Sequence, residues 1–156
     1  VVDAVDLPVI AAGGIADGRQ FAAILCMGAQ GVQMGTRFIC AAECTVHDNY
    51  KQAVLKAKDR GTVLTGYSGH YVRVLKNKLT REYQNLIKEG ASEAELEKLG
   101  IGRLRAAVVD GDVQMGSLMA GQVAAMVKKI QPAEEIIEEI ITVAEQVLQE
   151  SRKLFG

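Results

Sequence analysis

Two glycine-bearing stretches, Ala11-Ala-Gly-Gly-Ile15 and Met34-Gly-Thr-Arg-Phe38, carry the residue types and spacing best suited to chemistry. Each closes a short, non-alternating apolar run, Pro8-Val-Ile-Ala-Ala12 or Gly31-Val-Gln-Met34, the pattern of a strand buried on both faces. Glycine in such a turn lets backbone N–H groups approach a ligand closely, and a helix opening beyond the first turn brings roughly half a positive charge to bear on an anion. Thr36 adds a hydroxyl. One glycine pair alone signals only a tight turn, but two such turns one strand apart point to Gly13, Gly14, Gly35 and Thr36 as a phosphate cradle.

Other residues carry alternative readings. Arg37 is either a ligand contact or the partner of a carboxylate such as Glu43. Cys40, Cys44 and His47 have i, i+4, i+7 spacing and would share one face of a helix, as metal ligands do; a fourth ligand is not evident, and small buried thiols are the preferred reading, with no metal expected. Tyr67, Ser68 and His70 lie in the Gly-flanked segment Gly66-Tyr-Ser-Gly-His70, either a lid and substrate pocket or a solvated loop.

The elements that must position these residues begin with a βαβ unit. Asp17 can cap a helix whose inward stripe is Phe21, Ile24 and Leu25 and whose end is marked by Gly28, so the flanking strands should be parallel. From His47 to Lys98 the spacing reads as mostly helical, with Thr62-Val-Leu-Thr65 a short strand and Asp110-Gly111 a later turn. Ser117 can cap a buried helix running to about Lys129, inside which Gly121 costs about 1 kcal/mol relative to Ala and implies some close approach. Pro132 then opens an amphipathic helix with Ile137, Ile140, Ile141, Ala144 and Leu148 opposite Glu134, Glu138, Glu145 and Glu150. Val1, Val2, Ala4 and Val5 read as the tail of an apolar helix, as though the chain begins inside an element.

With 156 residues, 49% hydrophobic and 24% charged, the chain fits a globular domain rather than a disordered one. A net charge of −1 with the two signs interspersed gives no footprint for nucleic acid or an anionic membrane. The longest strongly apolar run, Val113 to Val127, is broken by Gln114, Gly116, Ser117 and Gln122 and falls short of the ~20 residues that span a bilayer. Three cysteines, Cys26, Cys40 and Cys44, do not make a disulfide framework, and a reducing cytoplasm is expected.

Taken together, Pro8 to Gly18 and Gly31 to Phe38 resemble the last two strands of the FMN-dependent enoyl-acyl-carrier-protein reductase and nitronate monooxygenase family. Asn49-Tyr-Lys51, Val72 to Arg81 and Gly111 to Gln122 are most similar to the reductase branch, and the resemblance covers nearly the whole chain. It implies an α/β fold, the C-terminal part of a (β/α)₈ TIM barrel holding its last two strands (1–38), a mostly helical inserted cap (39–112) and return helices packing on the barrel (113–156). It implies FMN held by Gly13, Gly14, Gln33, Met34, Gly35 and Thr36, with Ser117, Gly121 and Gln122 near the cofactor or in helix packing. NADH or NADPH would be the electron donor and a small-molecule or acyl-carrier-protein-bound enoyl thioester the substrate, in a cytoplasmic homodimer. No catalytic residue is assigned within the chain, since the family's histidine belongs to the part before Val1, and the chain alone is expected to be inactive. Alternatives are a nitronate monooxygenase using dioxygen and a non-catalytic helical interaction module.

Overall fold

The computed structural model describes residues 1–67 and 69–154. A 3₁₀ turn at Val2–Ala4 leads to β1 (Ile10–Ala12), α1 (Gly18–Cys26) and β2 (Gly31–Gln33), and β1 and β2 pair in parallel as the βαβ reading requires. Asp17 caps α1 as expected, its carboxylate accepting from the backbone N–H groups of Arg19 and Gln20. Burial pulls this carboxyl upward, but the Arg19 guanidinium and these N–H donors outweigh it and leave it below the ordinary carboxylate range.

Two details of this unit differ from expectation. The strands are three residues each and not enclosed, with Ile10 55% exposed, because among the described residues this two-stranded sheet has no further strand beside it. The face of α1 that buries is the small one, Gly18 and Ala22, while Phe21, Ile24 and Leu25 are half-buried. A Cβ at Gly18 would fall on the carbonyl of Ile140 and within 2.7 Å of Ala144 N, so glycine lets α1 lie directly against the C-terminal helix, α7 (Ala133–Arg152).

After β2 come α2 (Thr36–Ile39) and α3 (Asp48–Leu55), then a feature the sequence half disclosed: Thr62–Thr65 is a strand, β3, paired antiparallel with β4 (Val72–Leu75). The region read as mostly helical therefore contains a hairpin. Its helices are α4 (Lys78–Lys88), α5 (Glu93–Gly100) and α6 (Arg103–Val108). Capping boxes open α4 (Asn77 with Thr80) and α5 (Ser92 with Glu95), each typically contributing about 1 kcal/mol.

The helix expected from Ser117 to Lys129 is absent; only Gln122–Met126 turns, as a 3₁₀ element. Tertiary pairing overrides the apolar pattern. Leu75 N–H donates to Leu118 O at 2.9 Å and Ala120 N–H to Arg73 O at 3.1 Å, so 118–120 runs beside β4 as a partial third strand. The main core lies beneath it, built on Cys40, Tyr50, Val54, Leu75, Leu118 and Val127. Fully burying side chains such as Val54 or Leu79 contributes roughly 1.5–3 kcal/mol each. A second cluster, Ala41, Ile136 and Ile140, joins α7 to Met34 and Phe38. Among the described residues, no helix is long and apolar enough to cross a membrane.

Candidate functional site

The pairing of β1 with β2 sets Ala12 level with Gln33, so the turns that follow, Gly13-Gly14 and Met34-Gly35, leave the same edge of the sheet at the same height. Gly13 and Gly14 have φ of 88° and 74°, a conformation that costs a side chain about 1–2 kcal/mol. Gly35, at φ −96°, needs no such freedom. A Cβ on any of the three would meet no atom of the described residues beyond its chain neighbours within 4 Å. Among the described residues, the backbone N–H groups of Gly14, Gly35 and Thr36 have no acceptor in the chain. Open space above glycine and unpaired donors on one edge fit an anionic group bound from outside.

Gln20 braces the first turn from one side, accepting from Ala16 N–H at 2.7 Å and donating to Gly14 O at 2.8 Å. Thr36 is tied to the far segment, since Gly121 N–H donates to its Oγ1 at 2.9 Å. Gly121 is thus the close approach its sequence context implied, but in extended backbone (ψ 170°) rather than within a helix. Gln122 follows it, exposed; Gln33 is exposed; the Met34 side chain packs toward Ala41, Ile136 and Ile140, which leaves its backbone for the turn.

Gly35, Thr36 and Gly121 line a cleft of about 380 Å³ together with Tyr50, Met119 and Arg73. Arg73 is the functional candidate that sequence reasoning missed. It lies on β4, its Nη1 donates to Thr62 Oγ1 at 3.3 Å, and its carbonyl takes the Ala120 N–H, so the strand pairing that delivers Gly121 to Thr36 also delivers this cation. A hairpin reading of 62–75 would have exposed it. Tyr50, whose buried hydroxyl donates to Met119 O at 2.6 Å and is held well above its ordinary pKa by desolvation, fixes the cleft wall.

Arg37 does not pair with Glu43. Its guanidinium is buried and donates to Gln131 Oε1 and to Lys129 O, and desolvation lowers its pKa against the field of Glu139. Glu139 itself accepts from Gln131 Nε2 and pairs with Lys129, both at 3.1 Å. Glu43 instead caps α7, accepting Ala133 N–H at 2.9 and 3.0 Å. The single helical face proposed for Cys40, Cys44 and His47 does not form, because α2 stops at Ile39. Cys40 is buried with its thiol directed at Lys51 O, and His47 Nδ1 caps α3 through Asn49 N–H.

Tyr67 and His70 come together, ring centroids 4.9 Å apart, and line a separate cavity of about 290 Å³ with Tyr83, Arg103 and Ser117. Ser68 lies outside the described residues. Ser117, expected as a helix cap, instead donates its N–H to Arg103 O at 2.8 Å. Met119 borders both this cavity and the Thr36 cleft.

Comparison with known proteins gives the family. The structure of FabK from Thermotoga maritima matches with a TM-score of 0.93 at 43% identity over 99% of this chain and 49% of that one. A probable nitronate monooxygenase of Staphylococcus aureus is 33% identical over 96% of this chain and 42% of its own length. The Mycobacterium tuberculosis (3aS,4S,5R,7aS)-5-hydroxy-7a-methyl-1-oxo-octahydro-1H-indene-4-carboxyl-CoA dehydrogenase is 33% identical over 99% of this chain and 55% of its own length. The chain therefore spans about half the length of the curated relatives it matches. The family model for nitronate monooxygenase matches residues 1–142, and the chain belongs to that family.

Proposed function

We propose that this chain is the flavin-cradling, C-terminal part of a (β/α)₈-barrel oxidoreductase, with 1–38 the last two βα units, 39–112 a cap and 113–156 the segment returning to the barrel. The observation that carries this reading is the level pair of glycine turns, open to solvent and with unpaired N–H donors. FMN fits there through its phosphate, held by Gly13, Gly14, Gly35 and Thr36, with backbone groups of Gln33 and Met34 and the exposed Gln122 alongside and Arg73 supplying countercharge. Hydride relay from NADH or NADPH to the double bond of an enoyl thioester is the chemistry FMN supplies when bound. The chain's own part is to fix the phosphate end and, through Tyr67 and His70, to border the substrate. The three reductase-like stretches and the 43% identity to FabK support the reductase reading, with a small-molecule or acyl-carrier-protein-bound substrate, in a cytoplasmic homodimer.

The second reading, oxidation of alkyl nitronates with dioxygen, is favoured by the relationship to the staphylococcal protein. Purified full-length protein separates the two. Oxidation of NADH or NADPH dependent on an enoyl thioester establishes the reductase, whereas nitronate turnover without nicotinamide establishes the monooxygenase. A colourless protein that takes up no FMN overturns both and leaves an interaction module. On the proposed division of the barrel, the 156-residue chain by itself does not turn over.

A further inference from the structure

The charge of the chain is not interspersed locally. Between Asn49 and Arg81 stand Lys51, Lys56, Lys58, Arg60, Arg73, Lys76, Lys78 and Arg81 against one acid, Asp59, in a chain whose net charge is −1. Five of these cations, Lys56, Lys58, Arg60, Lys76 and Arg81, line a single cavity of about 630 Å³, and among the described residues no carboxylate lines it. Among the described residues none of the five is in an ion pair; the pairs are Arg19–Asp17, Arg105–Asp110 and Lys129–Glu139.

The backbone holds these like charges together. Gly61 N–H closes a turn onto Lys58 O at 2.7 Å, and Lys76 N–H donates to Gly61 O at 2.8 Å, which clamps the Lys58–Arg60 loop to the end of β4. Asn77 Nδ2 donates to Val113 O and Gly116 O, fixing the opposite wall, while its Oδ1 caps α4, on whose first turn Arg81 stands. The floor is apolar: Ala53, Ala57, Leu75, Val113 and Leu118. These five exposed cations give the cavity a positive field that attracts an anion, and a cavity of this size over an apolar floor accommodates a small molecule rather than a bare ion.

We propose that this cavity binds an adenosine nucleotide bearing phosphates at both ends of its ribose, the base on the apolar floor and the phosphates among the five cations. That chemistry has two sources, the 2′-phosphorylated adenosine of NADPH and the 3′-phosphorylated adenosine of a coenzyme A thioester. Naming these sources rests on the oxidoreductase reading above; the site itself rests on the charge and geometry described here.

The test is calorimetric titration of the full-length protein with adenosine 2′,5′-bisphosphate, adenosine 3′,5′-bisphosphate and adenosine. Wild type, the single variants Arg60→Gln and Arg81→Gln, the triple variant that adds Lys76→Gln, and Lys78→Gln, which lies outside the lining, are compared at two salt concentrations. The expected result is saturable binding of one bisphosphate, weakened several-fold in each single variant, at least tenfold in the triple variant and by added salt, with Lys78→Gln unchanged and adenosine far weaker. Preference for the 2′,5′ isomer identifies NADPH as the source, and for the 3′,5′ isomer coenzyme A. Failure of both bisphosphates to bind wild type, or equal binding by wild type and the single variants, overturns the proposal. Bound flavin is measured in the same samples, and a lack of it overturns the cofactor reading while leaving the binding result to stand.

Discussion

Gly121 N–H donates to Thr36 Oγ1 across 2.9 Å, so the hydroxyl nearest the glycine turns is aligned by a segment distant in sequence. Replacing Thr36 by Val keeps the side chain's shape and removes the acceptor. The expected cost is about 1 kcal/mol in thermal unfolding of the full-length protein, together with reduced flavin per protein after gel filtration. Unchanged flavin content would show that Thr36 serves only the strand 118–120.

The two turns should respond differently to a methyl group. Gly14→Ala places a side chain at φ 74° and is expected to destabilise by about 1–2 kcal/mol. Gly35→Ala meets no neighbour and no unfavourable φ, so stability should stay within about 0.5 kcal/mol while FMN retention falls. Denaturant melts paired with flavin absorbance read both. Full FMN retention by the Gly35 variant would remove this turn from the cradle.

Arg73→Met tests the countercharge. Affinity for FMN should drop about tenfold, equivalent to roughly 1.4 kcal/mol, while riboflavin, which lacks the phosphate, should bind the variant and wild type alike. A parallel loss for both ligands would make Arg73 a wall of the cleft rather than a partner of the phosphate.

How far these features were legible from the chain depends on where their causes lie. The Asp17 cap, the parallel pair, β3 and the helix after Pro132 are set by neighbouring residues and were readable. The partner of β3 was not, because Val72–Leu75 contains Arg73 and sits in a run of cations that reads as surface helix. The apolar stretch after Gly116 read as a helix because what extends it, the edge of β4, lies far away in sequence. Arg37 found Gln131 instead of the nearby Glu43 because the chain's return to α7 brings that amide to it.

The cap on α1 gives a pH dependence. The carboxyl of Asp17 titrates lower folded than unfolded, so its stabilisation is fully present above the unfolded value of about 3.9 and is lost as pH falls through the lower folded value. Asp17→Ala should cost about 1 kcal/mol at pH 7, and the gap in melting temperature from wild type should close on acidification below about pH 4. A gap independent of pH would assign the effect to packing.

Gly18→Leu should drive α1 away from α7 and destabilise by about 1–3 kcal/mol, read as a lowered denaturation midpoint. Retention of wild-type stability would mean that the helices slide past one another freely.

That same contact sets a timetable for the nascent chain. Gly18 seats on Ile140 and Ala144, residues synthesised long after it, while the glycine turn that α1 supports is made just before it. Long-range closure of this kind is slow, and chains are elongated at only about 5–20 residues per second. The first turn of the cradle must therefore wait, with α1 unsupported and its apolar stripe open, until synthesis of α7 is complete. Chaperone engagement during translation is expected to concentrate in that interval.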